Sequence, residues 1–134
     1  MTRPADVDEF HVRIWATAER LVGLRRALAR WAAGTPLPEE RQEDILLAAY
    51  EAMANSAEHA YPDGRGGPLE VTARCGTDEL TVVVEDEGRW KEPDPGETMR
   101  GRGRPLIGAL ADDSATLHRE DGTTVTMSFR LVPA

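Results

Sequence analysis

EAMANSAEHAYPDG, residues 51 to 64, decides how the rest of the chain is read. It lies partly inside ILLAAYEAMANSAEHAY, a run of small and apolar residues that reads as a helix, and it closes on a Pro-Asp-Gly break. Glu51, Asn55 and His59 stand four residues apart, so a helix stacks all three along one face. Glutamate is seldom buried without a partner, so the row is either a wetted stripe or a site.

Upstream, TPLPEE starts this helix, with Pro38 suited to the first helical position and Glu39 and Glu40 to the positive end of its dipole. The helix is expected over residues 39 to 60. FHVRIWA (10 to 16) alternates as an edge strand would, and Thr17 is placed to cap AERLVGLRRALARWAAG. Leu21, Leu24, Leu28 and Trp31 form its apolar stripe, and Gly34 ends it. Arg20, Arg25, Arg26 and Arg30 lie opposite, as a solvated face or a partner surface.

Downstream, YPDGRGGP breaks the chain. LEVTARC puts Leu69, Val71, Ala73 and Cys75 on one face, GTDE turns, and LTVVVED returns as a more fully buried strand. From 87 to 104, EGRWKEPDPGETMRGRGR has no periodicity, so it is read as a functional lid or a disordered segment. PLIGALADD follows as a short helix with Pro105 in its first turn. SATLHRE and TTVTMSFRL close the chain as a hairpin about Asp121-Gly122, with Val125, Met127, Phe129 and Leu131 inward. His11, on the first strand, and His118, on this hairpin, are read as surface or packing residues. The order predicts an α+β fold: a two-layer α/β sandwich whose mixed, mostly antiparallel sheet carries helices on one face.

At 134 residues the chain is one expected domain, with 40% hydrophobic and 30% charged residues as in ordinary globular proteins. Sixteen basic residues against 24 acidic ones give a net charge of −8, which argues against direct nucleic-acid binding. One cysteine, Cys75, allows no internal disulfide and suits a reducing cytoplasm. No apolar run reaches the roughly 18 residues of a membrane span, and residues 1 to 15 show no signal-peptide core, so a cytoplasmic protein is expected.

Two further stretches bear chemistry. Val82-Val83-Val84-Glu85-Asp86-Glu87-Gly88 runs a strand into an acidic end. Asp86 there is either a turn-former or an acceptor for an exocyclic amine, and Gly88 permits close approach of a flat ring or a backbone. Gly101-Arg102-Gly103-Arg104 opens a helix, where backbone N–H groups, the dipole and two guanidinium groups suit phosphate. An Arg-Gly turn without phosphate fits the same four residues. In chain order the three stretches supply a base, a Mg²⁺ ligand, an adenine anchor and a phosphate cradle, which together describe an ATP site.

EAMANSAEHAY resembles the N-box, VEDEG the G1 box and GRGRPLI the G2 box of the GHKL ATPase superfamily. The similarity is greatest to anti-sigma-factor serine kinases of the RsbW and SpoIIAB type, and it spans about residues 10 to 132. The resemblance implies the Bergerat ATP-binding fold as a single histidine-kinase-like ATPase domain over 1 to 134, with an ATP lid at about 87 to 104. It implies Glu51 as general base, Asn55 as the ligand of Mg²⁺, and His59 bordering the pocket. Asp86 would bind the adenine amino group and Gly88 would let the ring sit close. Gly101, Arg102, Gly103 and Arg104 would wrap the phosphates, and Thr123 would support adenine through water. Arg104 departs from the small or apolar residue usual there.

The function the resemblance implies is that of an ATP- and Mg²⁺-dependent serine/threonine kinase acting as an anti-sigma factor. Its partners would be an alternative sigma factor and a small anti-anti-sigma protein of the STAS type, which it phosphorylates. A homodimer is expected too, with Trp15 and the first strand at its interface. The alternative is an ATP-binding regulatory protein that sequesters a partner with little or no kinase activity. An unrelated α+β interaction domain would have no ATP affinity.

Overall fold

The computed structural model describes residues 9–61, 63, 65–88 and 105–131. The predicted phosphate loop, Gly101 to Arg104, and nearly all of the predicted lid lie outside the described residues. The elements run β1 (Glu9–Trp15), α1 (Ala18–Ala33), α2 (Glu39–Ala60), β2 (Pro68–Cys75), β3 (Glu79–Asp86), α3 (Pro105–Leu110), β4 (Asp113–Arg119) and β5 (Gly122–Arg130). The predicted order is the observed one. The strands form one sheet in the order β1-β2-β3-β5-β4. Expected to be mixed and mostly antiparallel, the sheet is antiparallel at each of its four pairings.

Local chemistry explains the boundaries. Thr17 is extended and its Oγ1 accepts from the Arg20 N–H at 3.3 Å, capping α1. Pro38 sits one position before its expected place: it is the extended N-cap residue of α2, and Glu39 is the first helical residue. The final hairpin is also shifted by one. Arg119 pairs with Gly122, so Glu120 and Asp121 make the turn and Gly122 already belongs to β5. A side chain at 122 would run into the backbone carbonyl of Asp86, so β5 needs glycine where it passes the end of β3.

One face of the sheet is apolar. Leu69, Val71 and Ala73 of β2, Leu80, Val82 and Val84 of β3, and Val125, Met127 and Phe129 of β5 are all buried there. Expected to be more fully buried, β3 instead alternates, with Thr81, Val83 and Glu85 turned to the other face and only half-buried. Helices α1 and α2 cover the apolar face through Leu21, Leu24 and Leu28 and through Ile45, Ala48, Ala49, Ala52 and Met53. The alanines of α2 let its backbone lie close to the strands.

The opposite face is wet and charge-paired. His11 and Arg13 contact Glu70, Arg13 reaches Glu87 at 3.0 Å, and Arg74 reaches Glu9 at 3.1 Å. Such exposed pairs contribute little each. Arg41 is different. From the first turn of α2 it donates to Asp44 at 3.0 Å, to the Leu110 carbonyl at 3.2 Å and to Asp112 at 2.6 Å, and it lies over the Phe129 ring. It thereby ties the end of α3 and the start of β4 to α2. Among the described residues no helix is long and apolar enough to cross a membrane.

Candidate functional site

Of the predicted site residues that the structure describes, Glu51, Asn55 and His59 come from α2, Asp86 and Gly88 from the end of β3, and Thr123 from the facing end of β5. At 100° per residue, α2 presents Glu51, Asn55 and His59 along one flank while Ala52, Met53, Ser56 and Ala60 turn into the core. The row is thus neither fully wet nor fully buried. Glu51 and Asn55 are half-buried and His59 is exposed. The Asn55 amide donates to Glu51 Oε2 at 3.5 Å, which directs the amide oxygen away from the carboxylate.

The second element is the end of β3. Asp86 is a strand-terminal carboxylate with 1% of its surface exposed. Its Oδ1 accepts from the backbone N–H groups of Thr123 and Gly88, each at 3.2 Å. Two donors from two different segments therefore fix one carboxylate oxygen, which is how a buried carboxylate is made tolerable. Thr123, directly opposite on β5, is equally buried. Its hydroxyl lies 3.0 Å from Nδ1 of His118, the residue opposite it on β4. Sequence reading assigned His118 to surface or packing; the register places it beside Thr123.

Contacts at residues 60 and 61 join the two elements. A Cβ at Gly88 would collide with the Ala60 carbonyl, so this glycine is required by the close approach of the β3 end to the last turn of α2. The Tyr61 hydroxyl donates to the Pro68 carbonyl at 2.6 Å and accepts from the Glu87 N–H at 2.9 Å. Burial pushes the Tyr61 phenol up from its ordinary value, and the carboxylates of Asp86 and Glu87 push the same way. The end of α2, the start of β2 and the end of β3 are thus locked together beside Asp86.

Ser56 is the residue that sequence reading passed over. It is fully buried next to Asn55, and among the described residues its hydroxyl has no hydrogen-bond partner. One signal was available: it is the lone hydroxyl on the core-facing side of an alanine-rich helix end.

The donor set suits a phosphate-bound hard cation. Among the described residues no three His, Cys, Asp or Glu side chains gather to hold a metal by themselves. Mg²⁺ shared with substrate phosphates needs only one or two protein oxygens, and the Asn55 amide oxygen is of the right kind. Two cavities open beside these elements. One of about 410 Å³ lies on the opposite flank of α2, by Ala54, Ala57 and Tyr61. Another of about 340 Å³ is lined by Arg13, Glu70, Glu85 and Arg119 together with Asp86, Glu87 and Asp121. Neither contains Glu51 or Asn55, and the second shares only Asp86 and Glu87 with the arrangement described above.

Known proteins resemble this chain over almost its full length. The profile of the histidine kinase-like ATPase domain matches residues 14–129. The serine-protein kinase RsbW of Listeria innocua is 30% identical over 136 residues, covering 90% of this chain and 86% of that protein. The serine-protein kinase RsbW of Oceanobacillus iheyensis is 25% identical over 139 residues, covering 92% and 87%. The crystal structure of the RsbU and RsbW domains of a Mycobacterium tuberculosis protein matches 94% of this chain with a TM-score of 0.74 and 27% identity. This chain spans 33% of that longer one.

Proposed function

The chain belongs to the family of the histidine kinase-like ATPase domain, among the RsbW-type serine-protein kinases, and from that premise we propose that it is an ATP- and Mg²⁺-dependent serine/threonine protein kinase. It acts as a cytoplasmic anti-sigma factor in a partner-switching module. Its substrate is a seryl or threonyl hydroxyl on a small anti-anti-sigma protein of the STAS type, and its other partner is an alternative sigma factor. It works as a homodimer.

The observation that carries the catalytic part is the Glu51–Asn55 pair on α2, hydrogen-bonded and half-buried. In this reading Asn55 offers its amide oxygen to Mg²⁺, which neutralises phosphate charge when bound. Glu51 stands one turn away as the base. The partner hydroxyl oxygen forms a bond to the γ-phosphorus, the bond to the ADP oxygen breaks, and the Glu51 carboxylate takes the hydroxyl proton. Asp86, oriented by Thr123 and Gly88, accepts from the adenine amino group, and Gly101, Arg102, Gly103 and Arg104 wrap the phosphates. His59 borders the pocket.

Labelled ATP incubated with the protein and candidate anti-anti-sigma proteins tests this. The expected result is label on a partner seryl or threonyl residue, lost on Glu51→Ala by about 10²–10⁴-fold, the usual worth of a general base. ATP-induced thermal stabilisation should survive the substitution. Tight ATP binding without transfer to any candidate would instead favour a sequestering regulator, and absence of ATP binding would end the reading.

A further inference from the structure

We infer that His118 is a positioning residue of the nucleotide site: it sets the direction of the Thr123 hydroxyl and so contributes to the choice of adenine over other bases. This rests on the reading of Asp86 and Thr123 as the adenine end of an ATP site.

The argument begins with register. Asp86 pairs with Thr123 across β3 and β5, and Thr123 pairs with His118 across β5 and β4. Directly paired residues of antiparallel strands project to the same face of a sheet. The three side chains therefore form one cross-strand row on the face that carries the helices. Asp86 and Thr123 are buried, whereas His118 stands on the exposed edge strand at the outer end of the row.

Each member is tied to the next. The Thr123 N–H donates to Asp86 Oδ1 at 3.2 Å, and the Thr123 hydroxyl lies 3.0 Å from His118 Nδ1. A hydroxyl has one proton and two acceptor directions, and its rotor is otherwise free to turn. With Nδ1 unprotonated, the Thr123 O–H donates to the ring and its lone pairs are presented to the site. With Nδ1 protonated, the ring donates and the hydroxyl proton points elsewhere. In either tautomer the imidazole settles one of the three directions. A purine is read through donors and acceptors on its edge, so a fixed hydroxyl discriminates where a freely rotating one adapts.

The main chain of Thr123 is held by β-pairing and by Asp86, so it does not need His118 to stay in place. Loss of the ring should therefore release the hydroxyl while the strand pairing of Thr123 stays in place. That separates positioning from packing.

Affinities of ATP and GTP for the full chain, measured by calorimetry, test this for the unmodified protein, His118→Ala, His118→Asn, Thr123→Val and His118→Ala combined with Thr123→Val. His118→Ala should weaken ATP about threefold to tenfold, the usual worth of one hydrogen bond, and narrow the preference for ATP over GTP. His118→Asn places an amide atom where Nδ1 stands and should restore both quantities to within about twofold. In the Thr123→Val background His118→Ala should cost nothing further, because the group it acts through is gone. Unfolding midpoints of the nucleotide-free variants should fall by no more than the loss of one hydrogen bond explains, since the ring is exposed and the Thr123 main chain keeps its own partners. An unchanged ATP/GTP ratio in His118→Ala, failure of Asn to rescue, or an equal loss in the valine background would each overturn the inference while leaving the ATP site standing. If the unmodified protein binds no ATP, the site assignment falls and this inference with it.

Discussion

Ala73, Val82 and Met127 lie in register across β2, β3 and β5; Leu69, Asp86 and Thr123 lie in register four residues further along the same strands. All six are buried to within 1% of completely, and all face the helices. The first row is core. The second, about 13 Å away at the rise of an extended strand, contains a carboxylate with one oxygen held by two N–H groups and a hydroxyl held by an imidazole. Burial therefore does not distinguish them; satisfaction of polar atoms does. A carboxylate is kept in such a place only when fixed donors meet it, and those donors also aim it.

The apolar row is most readily damaged at Met127. Met127→Ala removes a fully buried side chain from the middle of the apolar row and should cost about 2–5 kcal/mol of stability. The denaturation midpoint should fall with the slope unchanged. ATP affinity of the folded protein should stay within about twofold of the unmodified chain, because additive behaviour is expected of sites about 13 Å apart. If affinity falls in proportion to stability, the two rows are not independent and the division drawn between them is wrong.

Among the described residues, Ser56 is a polar group left unmet on the helix side of the same core. It faces the core like Ala52 and Ala60, yet its hydroxyl has no partner among the described residues. Removing an unsatisfied buried hydroxyl recovers its desolvation cost, so Ser56→Ala should stabilise the nucleotide-free protein by about 1 kcal/mol. A thermal or urea melt without nucleotide checks this. Destabilisation would show that the hydroxyl is satisfied after all and that the helix side of the site is already complete.

How much of this could be read from residues follows from sequence distance. Thr17 as a cap, the alternation of β2 and the inward face of β5 are local patterns, and each appears where expected. The strand end at Asp86 was legible too, because an apolar run ending in acid and glycine is a local event. The alternation of β3 was hidden by Val82, Val83 and Val84: a β-branched residue suits either face, so three in a row carry no phase. Gly122 suggested a turn, but what requires it is the Asp86 carbonyl, 36 residues earlier in the chain. The placement of His118 beside Thr123, in line with Asp86, depends on β5 lying between β3 and β4, a neighbour order no local pattern states. Arg41 likewise finds its partners 69 and 71 residues away.

An effect of similar size, but dependent on pH, is expected at the seal of the polar end, where Tyr61 joins β2 to β3. Its hydroxyl must keep a proton to donate to the Pro68 carbonyl, and burial raises its pKa above the ordinary 10.0. The folded state thus holds that proton more tightly than the unfolded chain. The stability this confers is complete below 10.0 and is lost as pH rises through the higher folded value. Tyr61→Phe removes both hydrogen bonds and should cost about 1 kcal/mol at neutral pH. Its cost should shrink as the pH passes 10.0, because the unmodified protein is then losing the same contribution. Urea midpoints of both proteins at neutral pH and just above 10.0 measure the difference. A cost that stays constant across that range would mean the phenol titrates alike folded and unfolded, and that the end of the sheet beside Asp86 is as open to water as the charged outer face.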